Sequence, residues 1–296
     1  MSGSAKPAVR PGAGAGETIV PGEFSLSRDD FRRISEMIYS DAGIQLNEGK
    51  AALVYARLAK RLRALRMQAF RDYCDLVASP DGAAERQEML TSLTTNVTKF
   101  FREPHHFEHM KTQVLSPFMR QGKGGRLRLW SAACSTGQEP YSIAMTLLSL
   151  WPDAVNQDVK ILATDIDRSV LATAEAGAYA ENLLDEVSAD QRKRYFEPAG
   201  AQGLRVNAAL RRLVTFRPLN LVENWPMGGP FQAIFCRNVV IYFDEPTQQG
   251  IWDKFTPRLA SEGALYIGHS ERVTGPAASL LRSDGVSTYR PTGAAK

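Results

Sequence analysis

Three short segments carry residues whose types and spacing suit the binding of a nucleoside. The first is the turn Ala132-Ala133-Cys134-Ser135-Thr136-Gly137, where small side chains let the backbone approach a ligand closely. It has neither the G-x-G-x-x-G pattern nor a Lys-Ser/Thr pair in phosphate-loop spacing, which disfavours a dinucleotide or a triphosphate. A turn of this kind is equally well a purely structural loop. The second is Asp165, which closes the apolar run KILATD. An acidic residue at the end of a second strand accepts hydrogen bonds from both ribose hydroxyls. The alternative role is to cap the following helix, which Asp167 suits better. The third is Arg237-Asn238, directly after the apolar residues 233–236. Asparagine offers both a donor and an acceptor, as an adenine edge or an amino-acid moiety requires.

Such residues converge only if strands hold them at one edge of a sheet. Four segments read as strands of a parallel sheet: 127–132, 159–164, 233–236 and 264–268. A helix from Pro140 to Leu150 lies between the first two, with proline in its first turn where the missing N–H costs nothing. Strand and helix alternating in this way predict a doubly wound α/β domain, whose ligands bind at the carboxyl ends of the strands. Residues 195–218 interrupt the rhythm and predict a small β insertion. The first part of the chain reads differently. Ser27 and Asp30 form an S-x-x-D capping box before Phe31, Ile34 and Ile38 at helical spacing, and Gly43 stops that helix. Asn47 is placed to cap a second helix, in which Val54, Leu58, Leu62 and Leu65 form one apolar stripe. Further helical patterns cover 70–77 and 85–93. The expected organisation is a disordered tail over 1–22, a helical domain over 23–92, a linking segment and helix over 93–122, and the α/β domain over 123–296.

Composition narrows the function classes. The 296 residues are 44% hydrophobic and 23% charged, with a net charge of +4, so a real core is available and charge alone does not imply nucleic acid. No apolar run reaches the length of a membrane span, and no signal-peptide stretch is present, which predicts a cytoplasmic protein without membrane insertion. Cys74, Cys134 and Cys236 are too widely spaced for a disulfide framework or a metal pair. His105, His106 and His109 invite a metal reading, but a zinc site needs three or four convergent ligands and no further ligand completes the set, so no metal is expected. Cys236 lacks the Pro-Cys context of cytosine methyltransferases and is expected to be buried and inert.

Six segments resemble the chemotaxis receptor methyltransferases, the CheR family: LTTNVTKFFREPHHF (93–107), AACSTGQEPYSIAM (132–145), ATDID (163–167), FRPLNL (216–221), FCRNVVIYFD (235–244) and GHSE (268–271). The resemblance runs from Phe24 to Tyr289 with the motifs in family order. It implies a class I methyltransferase domain dependent on S-adenosylmethionine, an N-terminal all-helical domain and a small inserted antiparallel β-subdomain. It further implies that Asn96, Thr98 and Arg102 close over the methionine end of the cofactor and that Glu139 takes its amino group. Asp165 would hold the ribose, Asn220-Leu221 and Arg237-Asn238 would line the adenine and the far wall, and Tyr242 would face the transferring methyl. Gln138 departs from relatives that carry a second glutamate there.

The implied reaction is methylation of glutamate side chains on the cytoplasmic helices of bacterial chemoreceptors, leaving S-adenosylhomocysteine. A glutamate carboxylate, with a reference pKa of about 4.3, is already ionised at neutral pH and needs orientation rather than a general base. Arg102 is placed either to hold that carboxylate bidentately or to pair with the cofactor carboxylate or across domains. Residues 50–71 hold seven Lys/Arg and no acid. Arg57, Lys60, Arg61 and Arg63 among them form either a solvated face or a surface for an acidic protein, RNA or membrane. The glutamate-rich helices of receptors make the resemblance favour the acidic protein, with no nucleic acid. In this family the β-subdomain can dock a receptor's C-terminal pentapeptide as an added strand. The short loop EPAGAQG (197–203) and Pro198 predict no such tether here. The chain is expected to be a monomer. The alternative function is a non-catalytic cofactor-binding scaffold in a signalling pathway.

Overall fold

The computed structural model describes residues 16–120 and 125–293. These divide into two compact units, 16–41 with 45–93, and 42–44 with 94–293.

The first unit is built on the helices Arg28–Ala42, Ala51–Ala64, Phe70–Ala78 and Ala83–Leu93. Ser27 caps the first of them, its Oγ accepting from the Asp30 N–H at 3.1 Å. Gly43 ends it in a left-handed conformation (φ +69°) that a side chain would resist. Asn47 does not act as the expected cap. It precedes a single 3-10 turn, Glu48–Lys50, and its side chain makes no capping bond. Val54, Leu58 and Leu62 are fully buried, as are Ile34, Ile38 and Phe70, whereas Leu65 follows the end of its helix and is exposed. Of the expected tail, residues 1–15 lie outside the described residues. Thr18–Val20, expected within it, forms a strand antiparallel to Leu26–Ser27, tied down by the buried Leu26.

The second unit contains a seven-stranded sheet in the order Leu281–Gly285, Thr288–Pro291, Leu259–Ile267, Phe231–Cys236, Leu127–Ala132, Val159–Asp165, Val214–Pro218. The last five are mutually parallel, and the first two form an antiparallel edge. The order reverses between Leu127–Ala132 and Phe231–Cys236, which makes that junction the topological switch point. Apolar residues on both faces of the parallel strands, such as Trp130, Ile161, Phe235 and Leu265, are fully buried, as a sheet covered on both faces requires. The helix Gln138–Leu150 is buried along nearly its whole length.

The insertion differs from its expected bounds. Val214–Pro218 belongs to the main sheet, with Ile161 opposite Val214 and Asp165 opposite Pro218. Val214 and Phe216 alternate with less buried neighbours, the pattern of an edge strand. The small antiparallel sheet instead comprises Ala178–Tyr179, Leu204–Val206 and Phe196–Pro198, with Leu204–Val206 in the centre. Pro198 therefore lies on an edge strand. No helix among the described residues is long and apolar enough to cross a membrane.

Candidate functional site at the carboxyl ends of the parallel strands

The parallel register sets Ala132 opposite Thr164 and Cys236, and Cys236 opposite Ile267. The turns that follow these strands therefore gather at one edge. Among the described residues, five of the seven non-glycine residues with positive φ lie in this region: Phe101, Glu103, Ala133, Ser135 and Asn238. Backbone held in this sparsely populated state clusters where surrounding structure over-determines it.

Asp165 is buried, and its carboxylate accepts from the Ser135 N–H at 2.8 Å and the Asp167 N–H at 3.0 Å. Burial pushes its pKa up to about 6, against the opposing pull of those backbone N–H groups. A carboxylate has about four acceptor positions, so these two bonds leave capacity for a ligand such as a diol. Asp167 caps the helix Arg168–Ala176, accepting from Ser169 and Val170. Asn96 reaches this corner, donating to Asp167 Oδ2 at 3.0 Å, while its carbonyl accepts from the Ser135 hydroxyl at 2.9 Å. The turn 132–137 thus has two functions. Ser135 presents its N–H to Asp165, whereas Gly137 is needed for packing, since a Cβ there would lie 2.8 Å from Ala174 Cβ and 2.9 Å from the Tyr179 hydroxyl.

Glu139 stands in the first turn of the helix after that loop. Its Oε1 accepts from the Ser131 hydroxyl and its Oε2 from Arg237 Nε, each at 2.6 Å. Arg237 is almost completely buried and also donates to the Arg102 carbonyl. Its guanidinium lies 3.5 Å from Glu103 and 3.2 Å from His106 Nδ1, over the rings of Phe107 and Phe235. The Arg237 side chain, expected to line the far wall, is therefore turned inward. It joins Glu139 to the segment that carries Arg102.

His106 Nε2 faces the Val286 carbonyl at 3.2 Å, so that nitrogen carries the proton and Nδ1 accepts from Arg237. Burial, and then the nearby Arg237 charge, lower its pKa to about 3. For Glu103, burial alone would raise the pKa, but Arg237 and the contacts from His269 outweigh it and hold the carboxyl below its usual range. Ligand atoms of Glu103, His105 and His106 lie within 4.8 Å of one another. With His106 Nδ1 already accepting from a cation, they do not present three free ligand atoms to a metal. His109 turns instead to the Tyr266 hydroxyl (3.0 Å) and Asp284 (3.1 Å). Cys134 and Cys236 are buried, and burial pushes both thiols well up, away from nucleophilic chemistry.

The remaining expected residues are placed as follows. Arg102 is half-buried, donates to the Val97 carbonyl at 3.2 Å and enters no ion pair among the described residues. Thr98 is half-buried in the same segment. Asn220 and buried Leu221 follow Val214–Pro218, and the Leu219 N–H donates to the Asp165 carbonyl at 2.9 Å, which brings this loop beside Asp165. Lys254 holds the same loop by donating to the carbonyls of Leu221, Val222 and Glu223. Tyr242 ends the short turn Val240–Tyr242 and is half-buried.

In the first unit, Arg61 is engaged internally, gripping Glu85 with Nε at 2.9 Å and Nη2 at 2.5 Å. Arg57 donates to the Leu93 carbonyl and Arg63 pairs with Glu23 on the surface. Lys60 is exposed. The roles of Glu103, His106, His269, Glu271 and Lys254 were not assigned from sequence. Glu103, His106, His269 and Glu271 fall inside quoted motifs, but their tasks depend on partners more than thirty residues away.

Residues 96–284 match the family model described as CheR methyltransferase, SAM binding domain, and residues 29–94 match that described as CheR methyltransferase, all-alpha domain. A protein of Rhizobium etli named a probable chemotaxis protein methyltransferase is 57% identical, covering 86% of this chain and 97% of its own length. Chemotaxis protein methyltransferase 2 of Pseudomonas aeruginosa is 43% identical over 91% of this chain and 95% of its own. The chemotaxis protein methyltransferase of Escherichia coli is 46% identical over 83% and 85%.

Proposed function

The chain belongs to the CheR methyltransferase family, whose members depend on S-adenosylmethionine, and on that footing we propose that it methylates glutamate side chains of chemoreceptors in the cytoplasm. The observation that carries the assignment of the site is Asp165, a buried carboxylate with accepting capacity left open at a strand end beside the switch point. The residues present fit the cofactor. Asp165 suits a ribose diol, and Glu139 suits an ammonium group, since its two oxygens each hold one donor and keep further acceptor capacity.

When bound, the cofactor supplies a sulfonium methyl; a carboxylate oxygen bonds to that carbon as the S–C bond breaks, giving an ester and a neutral thioether. The chain's own residues bind and orient. Asn96 and Thr98 would border the methionine end, Asn220-Leu221 and Asn238 would line the adenine, and Tyr242 would face the methyl. Arg237 holds Glu139 and the Arg102 carbonyl in register with each other. Arg102, whose guanidinium has no carboxylate partner among the described residues, holds the incoming glutamate. Lys60 and Arg63, the exposed members of the basic helix, favour encounter with an acidic receptor helix, whereas Arg61 serves the fold through Glu85. Pro198 on an edge strand argues against a peptide tether at the small sheet. A monomer suffices for all of these roles.

The test is transfer of labelled methyl to a receptor cytoplasmic fragment, followed by mild base. Release of the label as methanol identifies a carboxyl ester. Cofactor binding without transfer would point to a scaffold, and base-stable label would point to a different acceptor.

A further inference from the structure

We propose that Glu271 is a positioning residue for the methyl-transfer site, acting through Asn238 and the turn that carries Tyr242. Glu271 follows the strand Leu259–Ile267 in a short turn in which its N–H donates to the Gly268 carbonyl at 2.9 Å. Its buried carboxylate accepts four backbone N–H groups. Oε2 takes those of Gly268 and of Asn238 (3.0 Å), and Oε1 takes those of Val239 (2.9 Å) and Val240 (3.0 Å).

Three consecutive N–H groups converge because Asn238 is left-handed (φ +58°) while Val239 is not (φ −123°, ψ −38°). Successive amides in this alternation form an anion-binding concavity. In this chain the anion is Glu271. Four donors fill the acceptor capacity of a carboxylate, which leaves none for a ligand, so Glu271 acts only through what it holds. What it holds is the Asn238 backbone and the start of the turn Val240–Tyr242. Gly268 is the second half of the device. A Cβ there would lie 2.6 Å from Asn238 Nδ2, 2.8 Å from Glu271 Oε2 and 2.9 Å from Asn238 N. Burial pushes the Glu271 carboxyl up, and the four backbone donors pull against it in favour of the charged form.

This inference rests on the assignment of Asn238 and Tyr242 to the site, and a double-mutant cycle separates the two. Affinity for S-adenosylhomocysteine by calorimetry, melting temperature and labelled-methyl transfer are measured for Glu271→Gln, Asn238→Ala and the double variant. Glutamine keeps the shape but turns an NH₂ toward backbone donors. Its expected effect is a loss of about tenfold in affinity or turnover, with Asn238→Ala adding almost nothing in the Glu271→Gln background, because Glu271 acts by placing the Asn238 side chain that the second substitution removes. Additive losses would overturn the positioning role while leaving Asn238 in the site. No effect of Asn238→Ala alone in affinity or turnover would instead overturn the assignment of Asn238. If Glu271→Gln does not fold, Gly268→Ala crowds the same contact with the carboxylate intact and enters the same cycle, with the same two outcomes.

Discussion

Asp165 and Glu271 stand on opposite sides of the switch point, and both are buried carboxylates that accept backbone N–H groups. They differ in how much of their accepting capacity the chain consumes. Asp165 accepts from Ser135 and Asp167 and keeps accepting capacity open, whereas Glu271 accepts four N–H groups and keeps none. The first can therefore still accept from a ligand, whereas the second is saturated by the backbone it holds. Burial raises the pKa of both, so similar electrostatics serve two tasks, and hydrogen-bond accounting distinguishes them. Glu139 lies between these extremes, with one oxygen on Ser131 and the other on Arg237.

The largest effect is expected where a charge is wholly enclosed. Arg237→Met leaves Glu139 buried without its cation, which should cost about 3–5 kcal/mol of stability in urea denaturation. Adding Glu139→Gln should restore part of that loss, because the uncompensated charge is then gone. If Arg237→Met alone is nearly neutral, the network is more hydrated than its geometry implies.

Arg102 is the contrasting arginine, half-buried and without an ion pair among the described residues. Arg102→Ala should lower turnover by about a hundredfold while S-adenosylhomocysteine binds within roughly tenfold of wild type, since two charged hydrogen bonds to the substrate would be lost. Equal losses in binding and turnover would make Arg102 a cofactor ligand.

Asp165 adds a pH signature with two opposite signs. Its folded pKa of about 6 lies above the unfolded value of about 3.9, so the protonated form favours the folded state. Its contribution to the stability of the ligand-free protein is present below the unfolded pKa and is lost as pH rises through about 6. Affinity for S-adenosylhomocysteine moves the other way and should fall roughly tenfold between about pH 7 and pH 5, because protonation removes an acceptor. Asp165→Asn should flatten both trends. An affinity that stays level in the wild type would mean that Asp165 does not meet the ligand as an anion.

The smallest effect belongs to the surface. Lys60→Glu with Arg63→Glu should raise the KM for receptor by about two- to fivefold, more at low salt, without changing cofactor affinity. An unchanged KM would reduce this helix to a solvated face.

The main features of the sheet were legible in the sequence. Apolar runs bounded by small or polar residues located four of its parallel strands, and Asp165 could be placed at a strand end from KILATD alone. That Asp167 caps the following helix was also readable, because a helix cap lies at a fixed offset from its helix. Val214–Pro218 was misassigned to the insertion because an edge strand and an insertion strand share one alternating pattern. Only pairing with Val159–Asp165 separates them. The inward turn of Arg237 and the caging by Glu271 were not legible, since both depend on contacts between segments more than thirty residues apart.

The central claim is that Asp165 keeps its open acceptor positions for the ribose of the cofactor. Calorimetry of S-adenosylhomocysteine and its 2′-deoxyribose analogue, each against wild type and Asp165→Ala, tests it most directly. With one hydrogen bond to a charged acceptor at stake, the analogue should bind wild type about tenfold more weakly than the parent. Asp165→Ala should bind the two compounds equally, each at least about tenfold more weakly than wild type binds the parent. A variant that still distinguishes the two compounds as wild type does would place the ribose elsewhere and contradict the claim.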